Sequence, residues 1–303
     1  MKNTPFIAVT SQPVPYHADT TAIFNTLCQQ NSNSLLLDSA EIGSKNSLQS
    51  LILINATVKI TCLGNQVTFR ALNANGKQVL NEIHPVLSQL GTVSAGNFDN
   101  EFSVQFAPLD NQLDEDSKLQ AATIFDGLRV ISNHYQHSST PVFLGGLFAY
   151  DLVANFIPMQ GVELKDDGIN CPDYSFYLAE NLITIDHQSQ QATLKSFCFS
   201  QEEQVEVAKT ALSIAQKLKN IDGVFSIKAA SDEVSTNFED PEFTGIVKAL
   251  KHHINIGDVF QIVPSRRFSL ACPNTLASYA QLKLNNPSPY MFYMNDEDFI
   301  LFG

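Results

Sequence analysis

The chain has 303 residues, of which 44% are hydrophobic and 16% are charged, and its formal net charge is −13. This length corresponds to about two domains, and the apolar content is enough for a buried core, which excludes disorder as the main state. An acidic chain is repelled by phosphate backbones and anionic bilayers, which argues against nucleic-acid and membrane partners but not against a small anionic substrate.

The cysteines and the N-terminus bear on the compartment. Five cysteines are scattered without a C-x-x-C pair, which argues against a disulfide framework and a structural zinc site. The N-terminal apolar stretch is short and is followed by Pro13 and Pro15, unlike a signal peptide. No apolar run approaches the ~20 residues that span a bilayer. The sequence therefore predicts a cytoplasmic protein.

The first predicted elements are a helix, a strand and a hairpin. The helix begins after Asp19, a residue type that caps helices, and presents Ile23 and Leu27 on one face. A short apolar strand is expected over 34–37. Apolar residues alternate with polar ones on both sides of Gly64, which predicts a β-hairpin that turns there.

Helices and strands are also predicted in the middle of the chain. A stripe of apolar residues predicts a helix over 116–135. The run 143–150 is typical of a buried strand with either a bulge or a close backbone approach at its two glycines. Paired strands are expected over 174–187 and 192–199. A helix is predicted over 201–219, with an apolar stripe made of Val205, Ala208, Leu212, Ala215 and Leu218.

A polar, aperiodic stretch over 221–237 predicts a linker, after which a second unit begins. That unit is expected to contain a helix ended by Gly257, a strand over 259–268, a short helix over 275–284 and a hairpin over 290–302. Its helix faces and strand edges are left uncovered at the end of the sequence. The pattern therefore predicts that the chain is part of a longer protein.

Residue types alone give few candidate sites. His134 and His137 lie three residues apart and could ligate a metal, but no third ligand is near, which favours a solvated helix end. No metal-ligating residue is therefore predicted in this chain. The adjacent Arg266 and Arg267 could hold a carboxylate, or they could form a solvated strand end or an ion pair within the protein.

Four stretches carry a resemblance to a known family: 35–40 (LLLDSA), 143–153 (FLGGLFAYDLV), 258–268 (DVFQIVPSRRF) and 286–292 (NPSPYMF). In this order they resemble the large subunit of anthranilate synthase, component I, of the tryptophan pathway. The likeness runs along essentially the whole chain.

The resemblance implies a fold and a domain organisation. The fold is α/β of the α+β type, with orthogonally packed, mainly antiparallel sheets and outer helices. Residues 1–225 would form an N-terminal regulatory domain, and residues 238–303 would begin a chorismate-binding domain whose remainder, the C-terminal half, is absent from this sequence.

The resemblance also implies an activity. The family converts chorismate and ammonia into anthranilate and pyruvate with Mg²⁺, and a smaller glutamine amidotransferase subunit delivers the ammonia. The Mg²⁺ ligands are expected in the absent half, so this chain alone should be inactive. Tryptophan inhibits the family at a regulatory site away from the catalytic one.

By motif, the regulatory tryptophan site maps to Ser39, Pro289, Tyr290 and Met291. An apolar slot for indole, with polar groups for the ammonium and carboxylate, suits such a ligand. The family usually has Glu where this chain has Asp38, which is one methylene shorter. A direct contact between Asp38 and the ligand is therefore not predicted.

Gln261 is the catalytic candidate. Relatives that add water to chorismate carry a lysine general base at this position, whereas a neutral amide can only orient ammonia by hydrogen bonds. Gln261 therefore indicates an ammonia-using member; the alternative for it is a structural strand residue. Two other functions stay open: component I of aminodeoxychorismate synthase, in the folate branch, and a non-catalytic module that binds tryptophan or docks the amidotransferase.

Overall fold

The computed structural model describes residues 5–28, 31–39, 48–95, 100–108, 112–136, 138, 140–157, 171–221 and 233–303. Backbone proximity divides the chain into two compact units. The larger comprises Met1–Val224 with Tyr279–Gly303, and the smaller comprises Phe225–Ser278. None of the helices in these ranges is both long enough and apolar enough to cross a bilayer.

The strands are β1 (Ala8–Val14), β2 (Ser34–Asp38), β3 (Gln49–Leu63), β4 (Gln66–Ala71), β5 (Thr92–Ala95), β6 (Glu101–Gln105), β7 (Leu144–Phe148), β8 (Tyr174–Asp186), β9 (Gln191–Cys198), β10 (Val234–Thr236), β11 (Phe268–Leu270), β12 (Met291–Asn295) and β13 (Ile300–Phe302). The helices are α1 (Thr20–Cys28), α2 (Ala74–Leu87), α3 (Glu115–Gln120), α4 (Asp126–His134), α5 (Gln204–Lys217), α6 (Asp240–Asn255) and α7 (Thr275–Asn285).

One antiparallel sheet organises the larger unit. Its main path runs β1-β9-β8-β3-β2-β12-β13, while β4, β5 and β6 extend it from β3, and β7 pairs with β8. Every strand pair in it is antiparallel. The predicted α/β class with mainly antiparallel strands is therefore confirmed.

The 15-residue β3 is the central strand of this sheet, because it pairs with β2, β4 and β8. Nearly all of its residues are buried or half-buried, so its first half lacks the alternation that makes a strand visible in sequence. The alternating second half forms the predicted hairpin with β4. Gly64 occupies the turn with a positive φ of 57°, a conformation that glycine adopts without steric penalty.

Two predicted helices differ from the structure. The helix expected over 116–135 is broken into α3 and α4, because Ala121 adopts an extended backbone (ψ 141°) at the end of α3. The helix α5 is present, but it buries the face that carries Val207, Ala211 and Ile214. Val205 and Leu212 of the predicted stripe are exposed, whereas Leu218 of the same stripe is buried. Both apolar stripes have helical spacing, so sequence alone did not separate them.

The helix α2 was not predicted. It contains Pro85 and, in its first turn, Gly76, both of which weaken a helical pattern. Asn73 caps it, since its Oδ1 accepts the Gly76 N–H at 2.9 Å. Gly76 lies against β3, where an added Cβ would sit 2.0 Å from the Thr57 carbonyl oxygen. The weak helix former is thus required by the close approach of α2 to the sheet.

The glycines of β7 show which of two predicted alternatives holds. The register with β8 is regular across both residues, so there is no bulge. A Cβ on Gly146 would instead lie 2.1 Å from the Ser175 carbonyl oxygen, which is a close backbone approach. Only glycine fits between the two strands at this point.

The smaller unit contains α6, the two-stranded β10–β11 sheet and the first residues of α7. Helix α6 forms as predicted and is followed by Gly257 with φ 83°, but none of its residues is buried. The strand predicted over 259–268 is wrong, since only β11 is a strand. Pro264 lacks an N–H for pairing, and the described chain offers residues 259–267 no partner strand.

Helix α7 and the β12–β13 hairpin are confirmed. Residues from Tyr279 onward group with the larger unit, so sequence order does not separate the two units. The domain division at 225 and 238 stays a prediction, and most of the predicted linker lies outside the described residues.

Candidate functional site

Two of the four quoted stretches meet in the sheet. β2 pairs antiparallel with β12, with Met291 opposite Asp38 and Phe292 opposite Leu37. Leu35 and Leu36 of β2 are buried and Leu37 is half-buried, which places most of this strand in the interior of the larger unit. Pro289 and Tyr290 directly precede β12, so the pairing brings them to the end of β2 that Ser39 follows.

A cavity of about 670 Å³ opens at this junction. This volume is in the range of small-molecule sites. Its wall is mostly apolar and includes Leu35, Leu37, Leu51, Phe148, Met291 and Met294. Asp38, Gln49, Tyr150, Tyr290 and Cys171 supply polar side-chain groups to the wall. The cavity can therefore hold a flat apolar body with a small number of polar contacts.

The predicted site residues fall around this cavity. Pro289, Tyr290 and Met291 line it; Met291 is buried, whereas Tyr290 is 86% exposed. Ser39 is half-buried and does not line the cavity, whereas the preceding residue, Asp38, does. The roles of these four residues in binding tryptophan stay predictions.

The carboxylate of Asp38 is fully engaged within the protein. Its Oδ1 accepts the Ser50 hydroxyl at 2.5 Å, and its Oδ2 accepts Thr20 at 2.8 Å and the Lys283 ammonium at 2.5 Å. A weaker contact comes from the Tyr279 hydroxyl, at 3.4 Å. An added ligand would find no free oxygen on this carboxylate.

The pKa of Asp38 is lowered from its usual value. Burial acts in the opposite direction, but the Lys283 ammonium and the hydroxyls of Ser50 and Thr20 together outweigh it. Asp38 is therefore ionised at neutral pH, and its negative charge is balanced by Lys283. Lys283 could not be found from the sequence, because it lies 245 positions from Asp38 and no local pattern links the two residues.

His187 extends the same network. Ser50 gives its one hydroxyl hydrogen to Asp38, so its oxygen accepts from His187 Nε2 at 2.9 Å. The Nδ1 atom is then the acceptor for the Tyr16 hydroxyl at 3.2 Å. Burial lowers the pKa of His187, so the ring is neutral at pH 7. These bonds connect β8's end to the cavity wall through an ordered polar chain.

A second buried ion pair lies at the β12–β13 turn. Lys59 Nζ is 2.6 Å from Asp296 Oδ1, and both side chains are almost fully buried. Tyr177 and Ser175 donate to the other oxygen of Asp296. Burial acts to raise the pKa of Asp296. The hydrogen bonds from Lys59 and Tyr177 act to lower it and together outweigh burial, so the pKa lies below its usual value. This pair fixes the turn against β3 and β8.

Gln261 lies elsewhere, in the smaller unit. Its side chain is exposed, and its segment has no regular secondary structure. The strand predicted for this segment is absent, and Phe260 is fully exposed. The catalytic role of Gln261 stays a prediction.

Arg266 and Arg267 both make contacts within the protein. Arg266 lies 2.6 Å from Asp240 at the start of α6, and its guanidinium stacks 4.8 Å from the Phe268 ring centroid. The backbone N–H of Arg267 donates to Asn237 Oδ1 at 2.8 Å. Of the alternatives left open for Arg266, the structure contains the ion pair within the protein.

The donor set for a metal was tested across the residues that the structure describes. Among them, no group of three or more His, Cys, Asp or Glu side chains could hold an ion. His134 instead lies 2.9 Å from Glu82, while His137 is outside the described residues. The described residues therefore do not fit a Mg²⁺ site.

Comparison with known proteins yields consistent relatives. Residues 82–303 match the family described as chorismate binding enzyme. The chain is 87% identical over 298 residues to "Anthranilate synthase component 1" of Haemophilus influenzae, covering 98% of this chain and 58% of that protein. It is 44% identical over 313 residues to the protein of the same name from Vibrio cholerae, covering 100% of this chain and 58% of that protein.

A solved structure supports the fold. The crystal structure of anthranilate synthase component I from Streptococcus pneumoniae superposes with a TM-score of 0.54 at 17% identity, covering 87% of this chain and 51% of that one. At this identity the likeness concerns the fold alone. The chain spans little more than half the length of these relatives.

Proposed function

The chain belongs to the family of chorismate binding enzymes, and from this premise we propose that it forms the N-terminal part of an anthranilate synthase large subunit. The whole protein would convert chorismate and ammonia into anthranilate and pyruvate. The 87% identity to the Haemophilus influenzae protein over 98% of the chain supports this function over the folate-branch alternative. The product of aminodeoxychorismate synthase keeps the enolpyruvyl group of chorismate, so that enzyme releases no pyruvate.

We further propose that the cavity beside the β2–β12 strand pair binds tryptophan as a feedback inhibitor. The observation that carries this proposal is the pairing of Asp38 with Met291, which brings the two quoted stretches to one apolar cavity. Leucine, methionine and phenylalanine side chains offer dispersion contacts to an indole ring. Gln49 and Tyr290 offer polar groups at the wall.

The ligand's ammonium requires an acceptor other than the Asp38 carboxylate. That carboxylate is already bonded to Lys283 and two hydroxyls, and its side chain is 1% exposed. The shorter Asp side chain thus serves the protein's internal network. Among the other side chains of the wall, the Gln49 amide oxygen and the hydroxyl oxygens of Tyr150 and Tyr290 can accept from an ammonium.

Gln261 would orient ammonia for attack on chorismate. Its amide is neutral and does not take up a proton at neutral pH, so it can position a nucleophile by hydrogen bonds without acting as a base. The exposed side chain is available for such a contact. The reaction in the family uses Mg²⁺ to neutralise the chorismate carboxylate, but since the described residues supply no donor set, none of them is assigned to the ion.

The partners follow from the same proposal. A small glutamine amidotransferase subunit would deliver the ammonia. We place the protein in the cytoplasm, where thiols stay reduced; all five cysteines are free.

The test uses the full-length protein with chorismate, ammonium and Mg²⁺, and measures anthranilate and pyruvate. We expect both products in equal amounts, and their suppression by tryptophan. Formation of an aminated product without pyruvate would instead identify the folate-branch enzyme. The 303-residue chain is the matched control, in which we expect no turnover; anthranilate formation by it at the full-length rate would contradict this part.

A second measurement tests the alternative that the protein is a non-catalytic module that binds tryptophan. Calorimetry measures tryptophan binding to the 303-residue chain. Binding without turnover in the full-length protein would identify a non-catalytic module. Turnover that tryptophan does not affect would leave the enzyme assignment intact and remove the regulatory one.

A further inference from the structure

Helix α7 is attached to the cavity wall through one carboxylate. Lys283 reaches Asp38 at 2.5 Å and Thr20 at 2.9 Å, and Tyr279, one turn earlier on α7, lies 3.4 Å from the same Asp38 oxygen. Asp38 belongs to the cavity wall, whereas Lys283 does not. The ion pair therefore connects a residue of the cavity wall to helix α7, none of whose residues lines the cavity.

Helix α7 lies in the chain between the smaller unit and the residues that line the cavity. After its last residue, Asn285, the chain leads directly to Pro289 and Tyr290, which also line the cavity. Its first four residues, 275–278, belong to the smaller unit, which contains Gln261. The same helix is thus bonded to the wall and covalently continuous with the segment proposed to orient ammonia.

We propose that Lys283 is a positioning residue that couples occupancy of the cavity to α7. This inference rests on the proposed regulation by tryptophan and names how that regulation leaves the cavity. Separating the pair is costly, because it would leave the Asp38 carboxylate, whose side chain is 1% exposed, without its cation. A ligand that shifts Asp38 must therefore carry α7 with it or break the ion pair.

The affinity for tryptophan and the degree of inhibition depend on different residues. The cavity wall is formed by side chains other than Lys283, so the affinity of the cavity for a ligand does not depend on it directly. The response of the active site depends on the attachment of α7. Removing Lys283 should therefore separate the two quantities, which a contact residue of the ligand would not do.

The test compares Lys283→Met with the parent in the full-length protein. Calorimetry measures the Kd of tryptophan, and a rate assay measures the residual activity at saturating tryptophan as a fraction of the uninhibited rate. We expect the residual fraction to rise by about fivefold or more, the lower end of typical allosteric couplings, with a Kd that changes less than about threefold. Lys219→Met removes an exposed lysine of the larger unit and should change neither.

Two further variants exclude a structural explanation. Lys283→Arg keeps the charge and should restore inhibition. Because Lys283→Met leaves Asp38 without its cation, the double variant Asp38→Asn/Lys283→Met removes both charges; it should keep the parent's melting temperature within a few degrees and still show the raised residual activity.

Unchanged residual activity in folded Lys283→Met overturns the inference while leaving the tryptophan proposal in place. Loss of binding and inhibition together, with Lys283→Arg failing to restore either, also overturns it, because Lys283 would then belong to the binding site. A parent enzyme that tryptophan neither binds nor inhibits overturns the regulatory proposal and this inference with it.

Discussion

The cavity strands and the segment around Gln261 are both singled out by the same family resemblance, yet their structures differ sharply. β2 and β12 form a register-defined pair inside the sheet, and the charged residue that they contain, Asp38, is buried and bonded to Lys283. Residues 259–267 have no regular secondary structure, and most of their side chains are exposed. A cavity is completed in the first region, whereas the second presents single side chains to solvent.

The difference shows what a strand requires beyond its own sequence. Residues 259–263 contain Phe260 and three β-branched residues, which favour a strand, whereas β2 and β12 contain no β-branched residue. β2 has partners on both edges, β3 and β12. The other segment has no partner among the described residues and contains Pro264. Pairing therefore decides the outcome more than local propensity does.

The largest expected effect concerns the exposed region. Gln261→Leu in the full-length protein should reduce ammonia-dependent kcat by about 10–1000-fold, the range for one positioned polar group. Because the side chain is exposed, the melting temperature should stay unchanged, and tryptophan inhibition should survive. Steady-state kinetics and thermal unfolding on one preparation check this.

The nearby, exposed Val263→Leu is the control, and it should alter neither quantity. A stable, regulated Gln261→Leu protein with near-normal kcat would remove Gln261 from the site. A lower melting temperature, with catalysis and inhibition lost together, would instead identify a structural amide.

A pair of identical substitutions tests the packing contrast. Gly146→Ala places a methyl group 2.1 Å from a backbone oxygen of β8, so the strands must separate. We expect the free energy of unfolding to fall by about 3 kcal/mol. Gly245→Ala in α6 meets nothing within 4 Å and should instead gain about 0.5–1 kcal/mol from helix propensity. Denaturant unfolding of the two variants should give shifts of opposite sign; equal shifts would remove the contrast.

Ser39→Phe sharpens the assignment of the cavity. A ring at this half-buried position beside Asp38 should reduce the room for indole. The tryptophan concentration for half-inhibition of the full-length enzyme should rise about tenfold or more, equivalent to about 1.4 kcal/mol of binding energy. Ser39→Ala keeps the space and should retain inhibition. An unchanged inhibition curve for Ser39→Phe would place the regulatory site elsewhere.

The smallest expected effect is on acid stability. Asp38 and Asp296 have lowered pKa values, so the unfolded state takes up protons before the folded state does. Their contribution to stability is complete above the usual aspartate pKa of 3.8 and is lost as the pH falls below it through the folded values. The double variant Lys59→Met/Asp296→Asn should lose less stability than the parent between pH 5 and pH 3.

The matched control is the exposed pair Glu206 and Lys209, whose side chains are about two-thirds exposed. Glu206→Gln/Lys209→Met should leave the pH dependence of the melting temperature as it is in the parent, because exposed ion pairs contribute little. Parallel pH profiles for the buried-pair variant and the parent would show that Asp296 does not contribute to acid stability.

Sequence reasoning succeeded where the signal was local. The N-cap Asp19 of α1, the turn glycine of the β3–β4 hairpin and the helix stop at Gly257 were all predicted, since each follows from a few neighbouring residues. The face of α5 was wrong, because two stripes fit the helical period. α2 was missed, because its glycine serves a contact with β3 that only the fold reveals.

For the candidate site, the sequence identified the stretches but not their internal partners. The resemblance singled out 35–40 and 286–292, and the strand pairing brings them together. The bonds of Asp38 to Ser50, Thr20 and Lys283 had no signature, because ordinary polar residues from three separate elements supply them. Long-range polar networks of this kind become visible only when the register of the strands is known.

The position of β12 late in the chain also affects how the protein is made. Lys283 and Asp38 are 245 residues apart, and at about 5–20 residues per second a ribosome needs roughly 10–50 s to synthesise the chain between them. During that interval the Leu35–Leu37 edge of β2 has no β12 to pair with, and an open apolar edge is a site for aggregation. Variants in residues 279–295 should therefore reduce the yield of folded protein during synthesis more than they reduce the stability of the molecules that do fold.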